Sequence, residues 1–284
     1  MVDQKTGVLG LIGYPLEHSL SPRLHNQAIV ELGLNFVYLS FPLKPEQLED
    51  GIRAIRALGL RGVNVTIPYK ERVLPYLDQL DPLAAKLGAV NTIVNNHGLL
   101  TGYNTDINGF CRMLEEDGGF RIRGKRALLL GAGGAARAVA FALCQQGIAA
   151  LTIINRTADK ARHLQKTLHG YYPGVRLATA KLSRPELTAW SDPLDLIVDT
   201  TPIGMAPQLE VEPVIPLEVI RQAHLVVDLV YNPPETSLLR AAAQVGVQGL
   251  NGMGMLLYQG IEAFKLWTGQ EPELNSWREL VKSV

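Results

Sequence analysis

Cysteine is nearly absent from this 284-residue chain: only Cys111 and Cys144 occur, with no CxxC pair. Two isolated cysteines build neither a disulfide scaffold nor a cysteine-rich zinc site, and so sparse a use fits a reducing compartment, so a cytoplasmic address is expected. The six histidines show no HExxH or other ligand spacing, so no metal is expected. Net charge is missing too. The 27 basic and 27 acidic side chains balance and no long run of either sign stands out, so nothing recruits nucleic acid or an anionic membrane. No apolar stretch is long and unbroken enough to span a bilayer; the most lipid-like one, residues 127–144, is split by glycines and carries Arg137. The first residues carry Asp3 and too short an apolar run for a signal peptide, and read as a first strand. These exclusions leave small-molecule chemistry, on a chain whose 47% apolar and 19% charged content suits a globular core.

What is present is an alternation of strand and helix patterns. "GVLGLIG", "NFVYLSF" and "RGVNVTI" read as strands between the helical patterns "PRLHNQAIVELG" and "PEQLEDGIRAIRALG". "AVNTIVN" then returns through Gly98 to "LLTGYNTD". The alternation restarts with "RALLL", "LTIINR", "LDLIVDT" and "HLVVDLVY" and their crossover helices, and the chain closes on helices without a strand. Two α/β lobes follow, with mainly parallel sheets. The expected division is 1–106 plus 251–284 for the first lobe, to which the closing helices return, and 107–250 for the second.

"GAGGAARA" opens at Gly131, between a strand and a helix, as G-x-G-x-x-A. Gly131 permits the tight turn, Gly133 lets backbone approach a pyrophosphate, and small Ala136 lets helix and strand pack closely, so Ala132, Gly134 and Ala135 also belong to the expected phosphate cradle. The alternative is a tight turn that binds nothing. An NAD site would place an acid at the end of the next strand. Here Asn155, Arg156 and Thr157 stand there instead, able to pair a 2′-phosphate and bringing no carboxylate to repel it. NADP is the expected cofactor, against the alternative that Arg156 only finishes a strand on the surface.

The first lobe carries polar residues with two readings each. Ser19 and Ser21 of "HSLSP" can cap a helix or, with its free amides, hold a small carboxylate. In "NVTIPYK", Asn64 and Thr66 share one face of a strand, Pro68 ends its ladder, and Tyr69 and Lys70 read as the start of a helix. Lys70 either solvates that helix or holds a proton donor over a pocket at the sheet's carboxyl end. Asn91 and Thr92 of "AVNTI" and Asp106 of "NTD" are similarly open.

The order of these motifs, with "YNP" at Tyr231 and "GMGMLLYQG" near the end, resembles the shikimate dehydrogenase family over nearly the full length. The resemblance implies a two-lobed α/β enzyme with an N-terminal substrate domain and a Rossmann-type NADP-binding domain. It would reduce 3-dehydroshikimate to shikimate on the route to aromatic amino acids, in the cleft between the lobes. It implies Lys70 and Asp106 as the catalytic pair, Ser19 and Ser21 for the substrate carboxylate, and Asn64, Thr66, Asn91 and Gln259 for ring hydroxyls. Tyr231 and Met255 would line the site, with Met205 and Gly252 close to the nicotinamide. Two positions depart from the family's habit. Ile107 follows Asp106 where relatives often place glycine, and Lys160 stands where they often have a second arginine for the phosphate, so NADP preference is expected to be weaker than usual. The alternatives are a quinate/shikimate dehydrogenase using NAD or NADP, and a noncatalytic NADPH-binding sensor. A homodimer is one assembly open to such a chain.

Overall fold

β-branched and leucine-rich runs, buried almost throughout in the central strands, build two separate six-stranded sheets. The computed structural model describes residues 2–17, 19–183, 187, 193–205 and 212–282. It divides into two compact units, Met1–Asp106 with Leu257–Val284, and Ile107–Leu256.

In the first unit, β1 (Gly7–Gly13), β2 (Phe36–Pro42), β3 (Gly62–Val65), β4 (Gln79–Leu80), β5 (Thr92–Asn96) and β6 (Leu99–Tyr103) lie in the order β2-β1-β3-β5-β6-β4. β1 pairs in parallel with β2 and β3, whereas β5 runs antiparallel to β3 and β6, so this sheet is mixed. Side chains alternate across it with a period of two. Val63 and Val65 join Ile12, Ile93 and the apolar stripe Leu48, Ile52, Ile55 of the helix Leu48–Ala57 in one core. Asn64 points the other way, as does Tyr38. On that side His25 of the helix Ser21–Glu31 meets Phe264, Trp267 and Trp277 of the two C-terminal helices, Met253–Thr268 and Leu274–Lys282. Trp267 donates its indole N–H to the Ile93 carbonyl at 3.0 Å, which ties the returning helix to β5.

One local expectation fails. Tyr69 and Lys70 do not start a helix; residues 70–73 are turn, followed only by a 3-10 turn, Leu74–Tyr76. Pro75 accounts for this, because a helix begun at Tyr69 would need its missing N–H and would meet its ring one turn later. Instead Tyr69 is fully buried, its hydroxyl donating to the Leu43 carbonyl, and pins the turn.

The second unit holds β7 (Arg126–Leu130), β8 (Ala150–Asn155), β9 (Arg176–Lys181), β10 (Leu196–Asp199), β11 (Leu225–Asp228) and β12 (Gln248–Asn251), in the order β12-β11-β10-β7-β8-β9 and all parallel. β9 and β12 are strands that the sequence patterns did not show. The order reverses direction between β7 and β10, the switch point at which open α/β sheets bind ligands. Among the described residues no helix is long and apolar enough to cross a membrane.

Candidate active site

The turn after β3 and the entry to the helix Asp106–Arg112 bring Lys70 and Asp106 together: Lys70 Nζ donates to Asp106 Oδ2 at 2.7 Å. The Lys70 backbone is held by Val90, whose N–H donates to the Lys70 carbonyl at 2.8 Å. The lysine side chain is 32% exposed and the aspartate side chain 12%, so the pair sits at a surface with its carboxylate turned inward. Asp106 Oδ1 takes a second bond, 2.9 Å, from Asn91 Nδ2.

Asn91 is the hub. Its Oδ1 accepts from the Thr105 N–H at 2.8 Å and from the Thr92 hydroxyl at 3.0 Å. Its Nδ2 also reaches Thr105 Oγ1 at 2.9 Å and Gln259 Oε1 at 3.3 Å. Gln259 comes from the C-terminal helix Met253–Thr268, so three distant segments meet on one buried carboxamide. Asn64, opposite Thr92 in the β3–β5 ladder, gives its Nδ2 to the Asn91 carbonyl and to Thr92 Oγ1, each at 3.3 Å, and accepts from the Tyr38 hydroxyl at 2.7 Å. Lys70, Asp106, Asn91, Asn64 and Gln259 thus form one hydrogen-bonded network in the first unit. Thr105 and Tyr38 belong to it and were not singled out by sequence.

Thr66, one residue past β3, is half-buried; its methyl occupies the space that a side chain at Gly13 would need, and its hydroxyl has no partner among the described residues. Ser19 and Ser21 are half-buried at the start of the helix Ser21–Glu31, whose N-cap is Leu20 with no side-chain capping bond. Ser19 Oγ accepts from the Ser21 N–H at 3.3 Å, a local bond. His18 of the same motif lies outside the described residues.

In the second unit the turn after β7 fits a dinucleotide. Gly131 has φ +105°, and a side chain there would strike Thr200 Oγ1 at 2.3 Å, while Ala136 is fully buried beneath it. Gly133 and Gly134 are exposed, with nothing within 4 Å of an added Cβ, and Gly133 opens the helix Gly134–Gln145 without a side-chain cap. The result is an open cradle of backbone amides, flanked by Ala132 and exposed Ala135, of the kind that holds a phosphate pair. At the end of β8, Asn155 Nδ2 donates to the Thr157 carbonyl at 2.8 Å, shaping the turn. Arg156, Thr157 and Lys160 are exposed there, and the Arg156 guanidinium has no partner among the described residues. Met205 is half exposed, after β10. Tyr231, after β11, is half-buried, and burial pushes its phenol up. Gly252 is required by close approach, since a Cβ there would lie 2.0 Å from the Leu229 carbonyl oxygen, and Met255 is half-buried in the helix that follows.

An all-parallel sheet with a glycine cradle at its switch point, in a chain whose other sheet carries an ammonium–carboxylate pair set in hydroxyls and amides, defines a dinucleotide-dependent α/β oxidoreductase. The comparisons with known proteins narrow this. Residues 11–93 match the family model "Shikimate dehydrogenase substrate binding domain", residues 114–186 match "Shikimate / quinate 5-dehydrogenase", and residues 252–282 match "Shikimate 5'-dehydrogenase C-terminal domain". The "Shikimate dehydrogenase (NADP(+))" of Halothermothrix orenii is 52% identical over 274 residues, 96% of this chain and 95% of its own. A crystal structure of a shikimate dehydrogenase in complex with NADP+ superposes with a TM-score of 0.91 at 43% identity, covering 100% of this chain and 97% of the other. The quinate dehydrogenase of Corynebacterium glutamicum in complex with NAD aligns at 32% identity with a TM-score of 0.89, over 98% and 99% of the two chains. The chain belongs to the shikimate dehydrogenase family.

Proposed function

We propose that this chain catalyses the reversible NADPH-dependent reduction of 3-dehydroshikimate to shikimate, a step toward aromatic amino acids. The observation that carries the reading is the Lys70–Asp106 pair at 2.7 Å, braced by Asn91, in a chain 52% identical to an enzyme of that name. In this reading residues 1–106 and 251–284 hold the substrate and 107–250 hold the cofactor. Bound NADPH supplies the hydride.

The chain's own residues hold the substrate and move the proton. Lys70 Nζ spends one N–H on Asp106, so its remaining donors face the ketone oxygen, where negative charge develops; a donor already in place stabilises that charge more in the transition state than in the ground state. The ammonium then passes a proton to the oxygen. In the reverse direction the neutral amine takes the hydroxyl proton, with Asp106 holding the amine in position and accepting from the neighbouring hydroxyl. Ser19 and Ser21 hold the substrate carboxylate; Asn64, Thr66, Asn91 and Gln259 meet the ring hydroxyls, and Tyr231 lines the substrate side. Gly131 to Ala135 take the pyrophosphate, and Asn155, Arg156, Thr157 and Lys160 surround the adenosine ribose and its 2′-phosphate. Met205, Gly252 and Met255 line the nicotinamide. Two reduced cysteines, one half-buried and one buried, support a cytoplasmic site of action, and a homodimer is compatible with the reading.

A substrate-by-cofactor matrix tests it: shikimate and quinate, each with NADP and NAD, followed by absorbance of the reduced nicotinamide. The expected result is the highest kcat/KM for shikimate with NADP. Quinate turning over as well as shikimate, or NAD outperforming NADP, would assign the chain to the quinate/shikimate branch. No turnover in any of the four would leave a cofactor-binding sensor.

A further inference from the structure

We infer that Tyr38 is a positioning residue of the substrate site, which orients the Asn64 carboxamide. The inference rests on the reading of Asn64 as a substrate contact. Tyr38 lies in β2, 1% exposed, and its hydroxyl donates to Asn64 Oδ1 at 2.7 Å.

The tyrosine is held rigidly. Asn26 grips its backbone from both sides, accepting from the Tyr38 N–H at 2.9 Å and donating to the Tyr38 carbonyl at 2.8 Å. The ring stacks on His25 at 4.4 Å with 16° between planes, and lies 6.1 Å from the Trp267 ring. His25 is itself buried, and burial holds its imidazole down to about 3, so no charge faces the ring. Burial likewise drives the Tyr38 phenol well above its ordinary value, so the hydroxyl keeps its proton and remains a donor.

A carboxamide has two nearly isosteric ends, and its environment selects which faces where. At Asn64 a donor stands at one end, the Tyr38 hydroxyl, and an acceptor at the other, the Asn91 carbonyl. Flipping the amide would set Oδ1 against that carbonyl oxygen. With the tyrosine in place, a ligand hydroxyl that reaches Asn64 meets N–H. Its two protein acceptors stand at 3.3 Å, long for such bonds, so the amide retains donor capacity for the ligand. Removing the tyrosine hydroxyl leaves a buried acceptor unpaired and weakens the selection. Since Asn64 meets a hydroxyl present in ground and transition states alike, the loss should fall on KM.

Steady-state kinetics of Tyr38→Phe, Asn64→Ala and the double variant, with circular dichroism to confirm folding, form the test. Tyr38→Phe is expected to raise KM for shikimate about tenfold, equivalent to about 1.4 kcal/mol, with kcat within about threefold and KM for NADP unchanged. In the Asn64→Ala background it should add nothing further, because its effect passes through Asn64. A KM that stays within about twofold in folded Tyr38→Phe, or two effects that multiply in the double variant, makes Tyr38 a packing residue and overturns the inference. An Asn64→Ala that leaves KM untouched overturns the substrate-contact reading as well, which separates the two failures.

Discussion

At the residue scale, the site depends on donors whose partners are already in place. Lys70 is about one-third exposed yet held at both ends, by Val90 at its backbone and by Asp106 at its ammonium. Replacing it by methionine keeps the side chain's length and removes both charge and donors. Lys70→Met should therefore lower kcat by about 10² or more with a smaller effect on KM, as expected for a proton donor that acts in the transition state. A kcat within a few-fold of wild type, with the fold intact, would return Lys70 to a solvated surface role. Lys70, Asp106 and Asn91 were legible because each stands in a short motif. The work of Thr105 and Tyr38 was not. Thr105 sits inside "NTD" beside the residue that drew attention, and Tyr38 reads as one more aromatic in a strand until the register places it near Asn64.

At the scale of elements, the carboxyl ends of β10 and β11 hold a pair of acids. Asp199 and Asp228 are direct partners in the parallel register and are 4% and 1% exposed. Asp199 accepts from the Thr201 N–H at 2.7 Å; Asp228 accepts from the Val230 N–H at 3.0 Å and from the Thr236 hydroxyl at 2.6 Å. These bonds shape the loops that lead to Met205 and Tyr231. Burial first, and the Asp228 charge second, push the Asp199 carboxyl up to about 7; burial also raises Asp228. The native state therefore keeps a proton that the unfolded chain releases near the ordinary carboxylate value of 3.8. Stability contributed in this way is whole below that value and is lost as pH rises toward 7. Asp199→Asn keeps the acceptor for Thr201 and cannot ionise. It should raise Tm at pH 8 by a few degrees, at roughly 2–4 °C per kcal/mol for a chain of this order, and leave Tm near pH 4 unchanged. Melting curves that shift equally at both pH values would show that ionisation at Asp199 is not what differs. The turn after β3 gives the complementary lesson, since Pro75, five positions beyond Lys70, forbids the helix that the residues nearer Pro68 suggest.

For the whole molecule, cofactor selection can be read through global unfolding, because a ligand that binds only the native chain stabilises it by mass action, about 2.7 kcal/mol at 100 times its Kd. If Arg156 grips the 2′-phosphate, Arg156→Ala weakens NADP about tenfold or more, a loss of about 1.4 kcal/mol, and should roughly halve the rise in Tm given by that concentration of NADP. The rise given by NAD should not change. Lys160 is exposed on the helix that follows, so Arg156→Ala combined with Lys160→Ala is the needed companion. An undiminished NADP shift in the double variant would remove the end of β8 as the selector. The sequence by itself determined the class of chemistry: a glycine-rich turn between strand and helix patterns, strands and helices of distinct period, and motifs in a specific chain order are local or linear features that need no fold to be read. Tertiary structure alone decided that Asn91, bonded to Asp106, also meets Gln259 168 positions further on, that the Tyr38 hydroxyl reaches Asn64, and that β9 and β12 are strands. The physical reason is shared: a hydrogen-bond partner far along the chain leaves no local trace. An edge strand, paired on one side only, is partly exposed and lacks the apolar run that marks a buried one.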